Sequence, residues 1–172
     1  MRTKLLRFFL FLFFLFSFGK NSFATHNRAG EITYQWIGTS PTDYKYRITI
    51  ITFTKRSSVN VDRPRLDSVY LGDGSGPTVF YRSQQIFLPD DINKNVYFLD
   101  HTYAGNGRFL IHFTDPNRNE GVINIPNSVD VPFYVESLLI INPYLGPNSS
   151  PVLTYPPIDK GCVNRVFIHN PG

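Results

Sequence analysis

Alternation of apolar and polar residues is the feature that most constrains what this chain can fold into. In residues 31–37 the apolar side chains Ile32, Tyr34 and Trp36 occupy every second position, and residues 44–53 repeat the pattern. Successive side chains of a β-strand point to opposite faces, so a period of two is typical of a strand with one buried face. No stretch of twelve or more residues has the 3.6-residue period of an amphipathic helix. The pattern predicts an all-β protein.

Further short apolar runs extend this prediction along the chain. They cover residues 68–72, 78–82, 85–89, 95–100, 107–114, 121–125, 133–141, 151–155 and 163–169. Glycine, proline, asparagine and aspartate separate them, and these residues tolerate or impose the dihedral angles of turns. Many short strands with turn residues between them predict an antiparallel β-sandwich.

Residues 1–24 have the organisation of a secretory signal peptide. A basic start is followed by an apolar run from Phe8 to Phe18, and the segment ends on the small residues Ser22 and Ala24. Eleven residues of helix rise only about 16 Å, well short of the roughly 30 Å hydrocarbon core, so a membrane anchor is not expected. We therefore expect cleavage after Ala24 and a secreted, extracellular or outer-cell-surface location, with membrane contact only during export.

Loss of the signal peptide changes the charge of the chain. It removes Arg2, Lys4, Arg7 and Lys20 and no acidic residue, which reduces 17 Lys and Arg to 13 against 13 Asp and Glu. The mature chain is formally neutral. Net charge therefore gives no support for a nucleic-acid partner, and none is predicted.

Domain organisation is read from cysteine and proline usage. Cys162 is the only cysteine, so no internal disulfide is possible; a partner outside this sequence and no partner at all both stay open. Prolines are densest over 142–161. We predict a main sandwich over 25–145, followed at 146–172 by a proline-rich seam and the start of a following β module that the sequence truncates.

Residues 100–119, DHTYAGNGRFLIHFTDPNRN, have the composition of a metal or catalytic site. Asp115, Asn117 and Asn119 alternate as the first ligands of a calcium loop do. However, the glycine comes one position late at Gly121, and the twelfth position is Pro126 rather than glutamate, so the EF-hand pattern fails. A weaker Ca²⁺ site and a simple turn both remain open.

No other motif supports catalysis or metal binding. The glycine-rich stretch 71–76 lacks the lysine of a phosphate loop and predicts a tight turn in which Asp73 bonds its own backbone. The histidines have no metal-ligand spacing, and strand alternation places His112 on a surface. No nucleophile elbow or acid–base carboxylate pair is present. We predict a protein that is not an enzyme, with no catalytic residue, cofactor or resident metal.

Aromatic residues offer an alternative function. Exposed rings on a sandwich face can stack on sugars, whereas rings at alternate strand positions usually fill cores. Both interpretations apply to Trp36, Tyr34, Tyr44, Tyr46, Tyr81, Tyr97 and Tyr103.

Two segments resemble the PKD repeat, an immunoglobulin-like sandwich. GDGSG at 72–76 is similar to its glycine turn, carried by Gly72, Asp73 and Gly74. HTYAGNGRFLIHF at 101–113 is similar to its later strand, whose signature positions fall on His101, Thr102, Tyr103, Gly107 and Phe109. The interval between the two is long for such a repeat, which implies an extra hairpin or an altered topology.

A wider resemblance covers nearly all of the mature chain. The segments at 24–38, 115–137 and 150–172 resemble the amino-terminal region of large Bacteroidetes surface proteins of the PKD-domain or gliding-motility-associated kind. Such proteins leave the cell through the Sec and type IX secretion systems. Relatives often carry a cysteine where this chain reads FTKRSS (53–58), and the carboxy-terminal sorting domain of type IX cargo is not in this sequence.

Together these features predict a structural or adhesive immunoglobulin-like (PKD-like) β-sandwich that forms a non-catalytic segment of a larger exported surface protein. Its expected partners are other domains of the same parent chain, extracellular polysaccharide or surface proteins. The alternative is an accessory glycan-binding module of a secreted hydrolase, assisted by Ca²⁺.

Overall fold

The computed structural model describes residues 27–58, 63–116, 118–154, 164 and 166. The predicted signal peptide, Asn117 and Cys162 lie outside these residues. The regular secondary structure of the described part is almost entirely β, as the alternation predicts. Its strands are β1 (Asn27–Trp36), β2 (Lys45–Lys55), β3 (Arg65–Tyr70), β4 (Pro77–Leu88), β5 (Ile92–Thr102), β6 (Gly107–Asp115) and β7 (Phe133–Ile141), with a single 3₁₀ turn at Ser128–Asp130.

All of the paired strands are antiparallel neighbours in the order β1-β2-β5-β4-β3-β6-β7. The strands form two facing layers, β1-β2-β5-β4 and β3-β6-β7. Strand β4 is hydrogen-bonded to strands of both layers. Because β1 also approaches β7, the sandwich is close to a closed barrel. Constant-type immunoglobulin domains have the same arrangement of four strands facing three. The predicted all-β fold is confirmed, and the immunoglobulin-like sandwich is compatible with this strand order.

Strand β4 joins the two layers. Its first half pairs with β3, and its second half pairs with β5 after a register shift between Arg82 and Gln84. Such an irregularity bends a strand and increases its twist, which allows one strand to serve two sheets. The sequence predicted two strands here, 78–82 and 85–89, whereas the structure has one continuous strand.

The core lies between the layers and is built from the alternate positions that the sequence predicted. Inward residues of the first layer include Tyr46, Ile48 and Ile50, and these meet Phe80 and Ile111 of the opposite side. At one end the rings of Tyr34, Tyr46 and Tyr103 pack edge to face. Burial of these apolar faces is the main force that holds the layers together.

The opposite end of the interior is polar. Asn95 lies there, 2% exposed. Its amide nitrogen donates to the Thr54 hydroxyl at 3.1 Å, and its oxygen accepts from Gln85 at 3.0 Å and Arg82 at 3.4 Å. A buried amide costs free energy unless it is hydrogen-bonded, so this network compensates for its own burial.

The segment after β7 returns to cover the outer edge of β1. Ser150 donates its backbone N–H to the Tyr34 carbonyl at 2.9 Å, and its hydroxyl accepts the Tyr34 N–H at 2.9 Å. The Ser149 hydroxyl accepts the Trp36 N–H at 3.1 Å. We call residues 148–150 the edge strap. Part of the predicted seam at 146–172 is therefore in direct contact with the sandwich.

Two predicted strands are wrong. Residues 121–125 form turns, in which Ile125 N–H bonds to the Val122 carbonyl at 3.0 Å and Ile123 is fully exposed. The described part of 151–155 has no strand either, and most of 163–169 lies outside the described residues. Across the ranges described here, no helix has the length and apolar character needed to cross a membrane.

Candidate functional site

The two segments that resemble the PKD repeat meet in space. Asp73, in the turn after β3, faces His101 at the end of β5, and their side chains approach to 2.8 Å between Oδ2 and Nε2. Tyr103 follows β5, and its hydroxyl donates to the Leu71 carbonyl at 3.1 Å. The rings of His101 and Tyr103 pack edge to face at 4.7 Å. We call Asp73, His101 and Tyr103 the turn clip, since they fasten the β3–β4 turn to the end of β5.

Asp73 also bonds within its own turn, as the sequence predicted. Its Oδ1 accepts the Ser75 N–H at 3.0 Å and the Ser75 hydroxyl at 2.6 Å. Partial burial acts to raise the pKa of Asp73, but the Ser75 bonds and the contact with His101 outweigh it and hold that pKa below its ordinary value. The carboxylate is therefore ionised over the whole physiological range and attracts a protonated His101.

Gly72 allows this turn to lie against β6. Its φ of +80° is in the left-handed region, and a Cβ built there would lie 2.5 Å from the Leu110 backbone nitrogen. No side chain fits at such a distance from rigid backbone. The glycine turn is thus required by packing as well as by backbone conformation.

The turn clip has the residue types of a catalytic cluster but the geometry of a structural one. The Tyr103 residue is 2% exposed, and its hydroxyl is committed to a carbonyl. Burial, followed by the negative charge of Asp73, raises the pKa of Tyr103 well above its ordinary value. A tyrosine that stays protonated and bonded to backbone is poorly placed to exchange protons with a substrate.

The predicted calcium ligands are not presented together by the described residues. Asp115 is 5% exposed at the inward end of β6, where its Oδ2 lies 3.5 Å from Nε of Arg63. Asn119 instead holds the edge of β1, since its N–H donates to the Asn27 carbonyl at 3.2 Å. Asn117, the third residue, lies outside the described part. Among the residues described, no group of three or more His, Cys, Asp or Glu side chains is close enough to hold a metal ion.

Most of the aromatic residues considered for sugar binding lie in the core. Tyr34, Tyr46, Tyr97 and Tyr103 are buried, whereas Trp36 and Tyr44 pack against the core from its margin. Tyr81, 66% exposed on β4, is the member of that set that faces solvent.

An exposed apolar surface covers the outer side of β3, β6 and β7, which sequence reasoning did not find. Its large side chains are each between 38% and 47% exposed. We call this surface the apolar face; it consists of Tyr70, Leu110, Tyr134, Leu138 and Ile140, with His112 between the tyrosines. Leu110 pairs with Leu138 and Tyr70 with His112 across strands, while Tyr134 and Ile140 extend the surface along β7.

The rings of the apolar face pack on one another. Tyr70 stacks on His112 with ring centroids 4.7 Å apart and an interplanar angle of 12°, and the His112 ring lies 5.7 Å from that of Tyr134. His112 therefore covers one ring face of Tyr70, which reduces the aromatic surface open to a sugar. Exposed Phe98 and Phe87 each have an arginine over one ring face as well.

One sequence signal did indicate this surface. Residues 138–141 read LLII, so β7 is apolar on both of its faces. Strands that are covered on both sides have such uninterrupted apolar runs, while strands with one wet face alternate. The sequence prediction took 133–141 as a strand and assigned neither face of this run.

Comparison with known proteins found no family model, no curated protein and no solved structure that matches this chain.

Proposed function

We propose that this protein is a non-catalytic structural or adhesive module of an exported surface protein. The observation that carries the proposal is the turn clip. The residues most similar to a reactive cluster are Asp73, His101 and Tyr103. Each of them uses a polar side-chain atom in a hydrogen bond within the sandwich. The chemistry-bearing side chains therefore stabilise a fold, and the remaining means of action is the surface.

A surface module needs a body that resists unfolding and proteolysis outside the cell. The strand order supports this role at one of its two ends, because β1 is covered. The edge strap and Asn119 bond to β1, and β1 also approaches β7, the strand at the other end of the order. Covered edges prevent uncontrolled strand pairing with other chains.

The finer identity of the module follows from resemblance. The PKD-like turn and strand signatures, the export signal at 1–24 and the larger parent protein all belong to this proposal. The contact between Asp73 and His101 gives the two signatures a common structural role, which supports a PKD-like module.

Export tests the proposal. Residues 1–172, carrying a carboxy-terminal tag, are expressed in a Gram-negative host, and the tagged chain is located by fractionation. We expect it outside the cytoplasm, with an intact mass that begins at Thr25. Leu12→Asp, which places a charge in the apolar run, should keep it in the cytoplasm uncleaved.

A matched substitution separates the signal from the folded part. Phe98→Asp adds the same charge on an exposed strand position and should leave export unchanged. If the parent chain stays in the cytoplasm with residues 1–24 attached, the proposed surface function is wrong.

A further inference from the structure

We infer that the apolar face is a homotypic docking surface on which a second copy of this chain packs sheet to sheet. The inference rests on the proposed adhesive function and adds a partner to it. Leu110 and Leu138 form a cross-strand pair at its centre, with Ile140 on one side and the ring cluster of Tyr70, His112 and Tyr134 on the other. Contiguous exposed apolar side chains of this kind usually mark an interaction site.

The apolar run in β7 indicates what kind of cover the surface needs. Leu138 and Ile140 point outward while Leu139 and Ile141 fill the core. A strand that is covered on both sides has such a continuous apolar run. We therefore expect the partner to contribute apolar side chains to the contact. Two sheets that pack face to face interdigitate such residues in a layer about 10 Å thick.

The charges on this surface select a second copy of the chain. On the outward positions of β6 and β7, the cationic residue is Arg108 and the anionic residue is Glu136. Arg108 lies one cross-strand row before the Leu110–Leu138 pair, and Glu136 lies one row after it. The two rows are four residues apart, about 13 Å at 3.3 Å per residue, so the two side chains are too distant to pair within one chain.

A two-fold axis makes this arrangement self-complementary. The axis lies in the interface plane, at right angles to the strands and level with the Leu110–Leu138 row. It sets the leucines of the two copies against each other and brings Arg108 of each copy over the row of Glu136 in the other. In such an isologous interface every contact occurs twice, so both charges of each copy are paired.

The size of the surface sets the strength of the contact. Three strands offer fewer side chains than the roughly 20–30 residues per partner of a tight complex, so we expect a dissociation constant on the order of micromolar. A weak homotypic contact suits an adhesive surface protein, because many copies engage at once.

Sedimentation velocity on the purified tagged chain tests the inference directly. We expect a monomer–dimer equilibrium at micromolar to submillimolar concentrations. Leu138→Glu should weaken dimerisation about 30-fold or more, because it buries an unpaired charge at the centre of the interface. Phe98→Glu, a comparably exposed position on the other layer, should leave the dissociation constant within about twofold.

Charge reversal gives a sharper test that does not depend on loss of folding. Arg108→Glu alone places glutamate against Glu136 of the second copy, and Glu136→Arg alone places arginine against Arg108. Each variant should therefore be monomeric by itself. A mixture of the two variants pairs every glutamate with an arginine and should dimerise as well as the parent chain.

Several outcomes would overturn the inference. They are a parent chain that stays monomeric throughout the concentration range, a Leu138→Glu variant that dimerises like the parent, and single charge variants that fail to associate when mixed. A chain that is exported but monomeric would leave the proposed function standing and remove only the homotypic contact.

Discussion

At the scale of single residues, polar groups in this protein are used to fasten backbone. Asp73 accepts bonds from Ser75 in its own turn and faces His101 across 2.8 Å, and neither of the paired side chains is more than 22% exposed. A contact with a partly buried carboxylate is less screened than one on the open surface. Asp73 and His101, which suggest a reaction centre in the sequence, therefore form contacts that stabilise the fold.

Gly72 should be the least replaceable glycine of the turn. Gly72→Ala combines an unfavourable left-handed backbone with a Cβ 2.5 Å from the Leu110 nitrogen, so we expect a loss of about 2 kcal/mol or more of unfolding free energy. Gly74→Ala is the matched control, since Gly74 has a φ of +81° with open space around its Cβ, and should cost only about 1 kcal/mol. Urea denaturation measures both. Equal losses would contradict the close packing of the turn on β6.

The lowered pKa of Asp73 predicts an acid-sensitive contribution to stability. A carboxyl group whose pKa is depressed in the folded state stabilises the fold above its unfolded value, about 3.9, and loses this contribution as the pH falls through the folded value. Asp73→Asn should therefore be less stable than the parent chain at neutral pH and approach it as the pH falls through the lowered pKa of Asp73. Thermal unfolding from pH 7 to pH 2 gives this comparison. A constant difference across that range would show that Asp73 has no such role.

At the scale of elements, the alternation of apolar and polar residues predicted strands such as β6 well. It predicted less well where the formation of a strand depends on a distant partner strand. The inward and outward halves of β6, Phe109, Ile111 and Phe113 against Leu110 and His112, fall as the pattern requires. It failed at 121–125, because the backbone there bonds within turns and to Ser128 rather than to a neighbouring strand. The local sequence pattern cannot show whether a neighbouring strand is available to pair with a segment.

The candidate site shows the same limit. The sequence predicted the Asp73 turn and resembled a known repeat at His101, but it could not bring them together. Their contact depends on the register of β5 against β2 and on the bend in β4, both of which are set by pairings far apart in the chain. The apolar face was missed because strands β3, β6 and β7 each contribute only one or a few of its residues.

The edge strap should stabilise β1. In Ser150→Ala, the Tyr34 N–H loses its acceptor on a partly buried edge, so we expect a loss of about 1 kcal/mol of unfolding free energy. Ser149→Ala removes an acceptor from the exposed Trp36 N–H, which water can replace, and should cost less. Trp36 is the only tryptophan, so its fluorescence during urea denaturation reports on this edge. Equal effects, or none, would contradict the role of the strap.

At the scale of the whole molecule, the described sandwich presents an apolar surface on the outer side of β3, β6 and β7. The interior is apolar at one end and hydrogen-bonded at the other, where Asn95 and Thr54 are fully buried. This combination supports the proposed structural or adhesive module.

The central claim is that the apparent reaction centre is structural, and a double-mutant cycle on the unfolding free energy tests it most directly. Asp73→Asn, His101→Gln and the double variant are unfolded in urea at neutral pH, where the Asp73 carboxylate is ionised. We expect the sum of the two single-variant losses of unfolding free energy to exceed the loss in the double variant by about 1 kcal/mol. The reason is that each single substitution removes the same contact. Losses that simply add would contradict the claim, since they would mean that Asp73 and His101 do not stabilise the fold through each other.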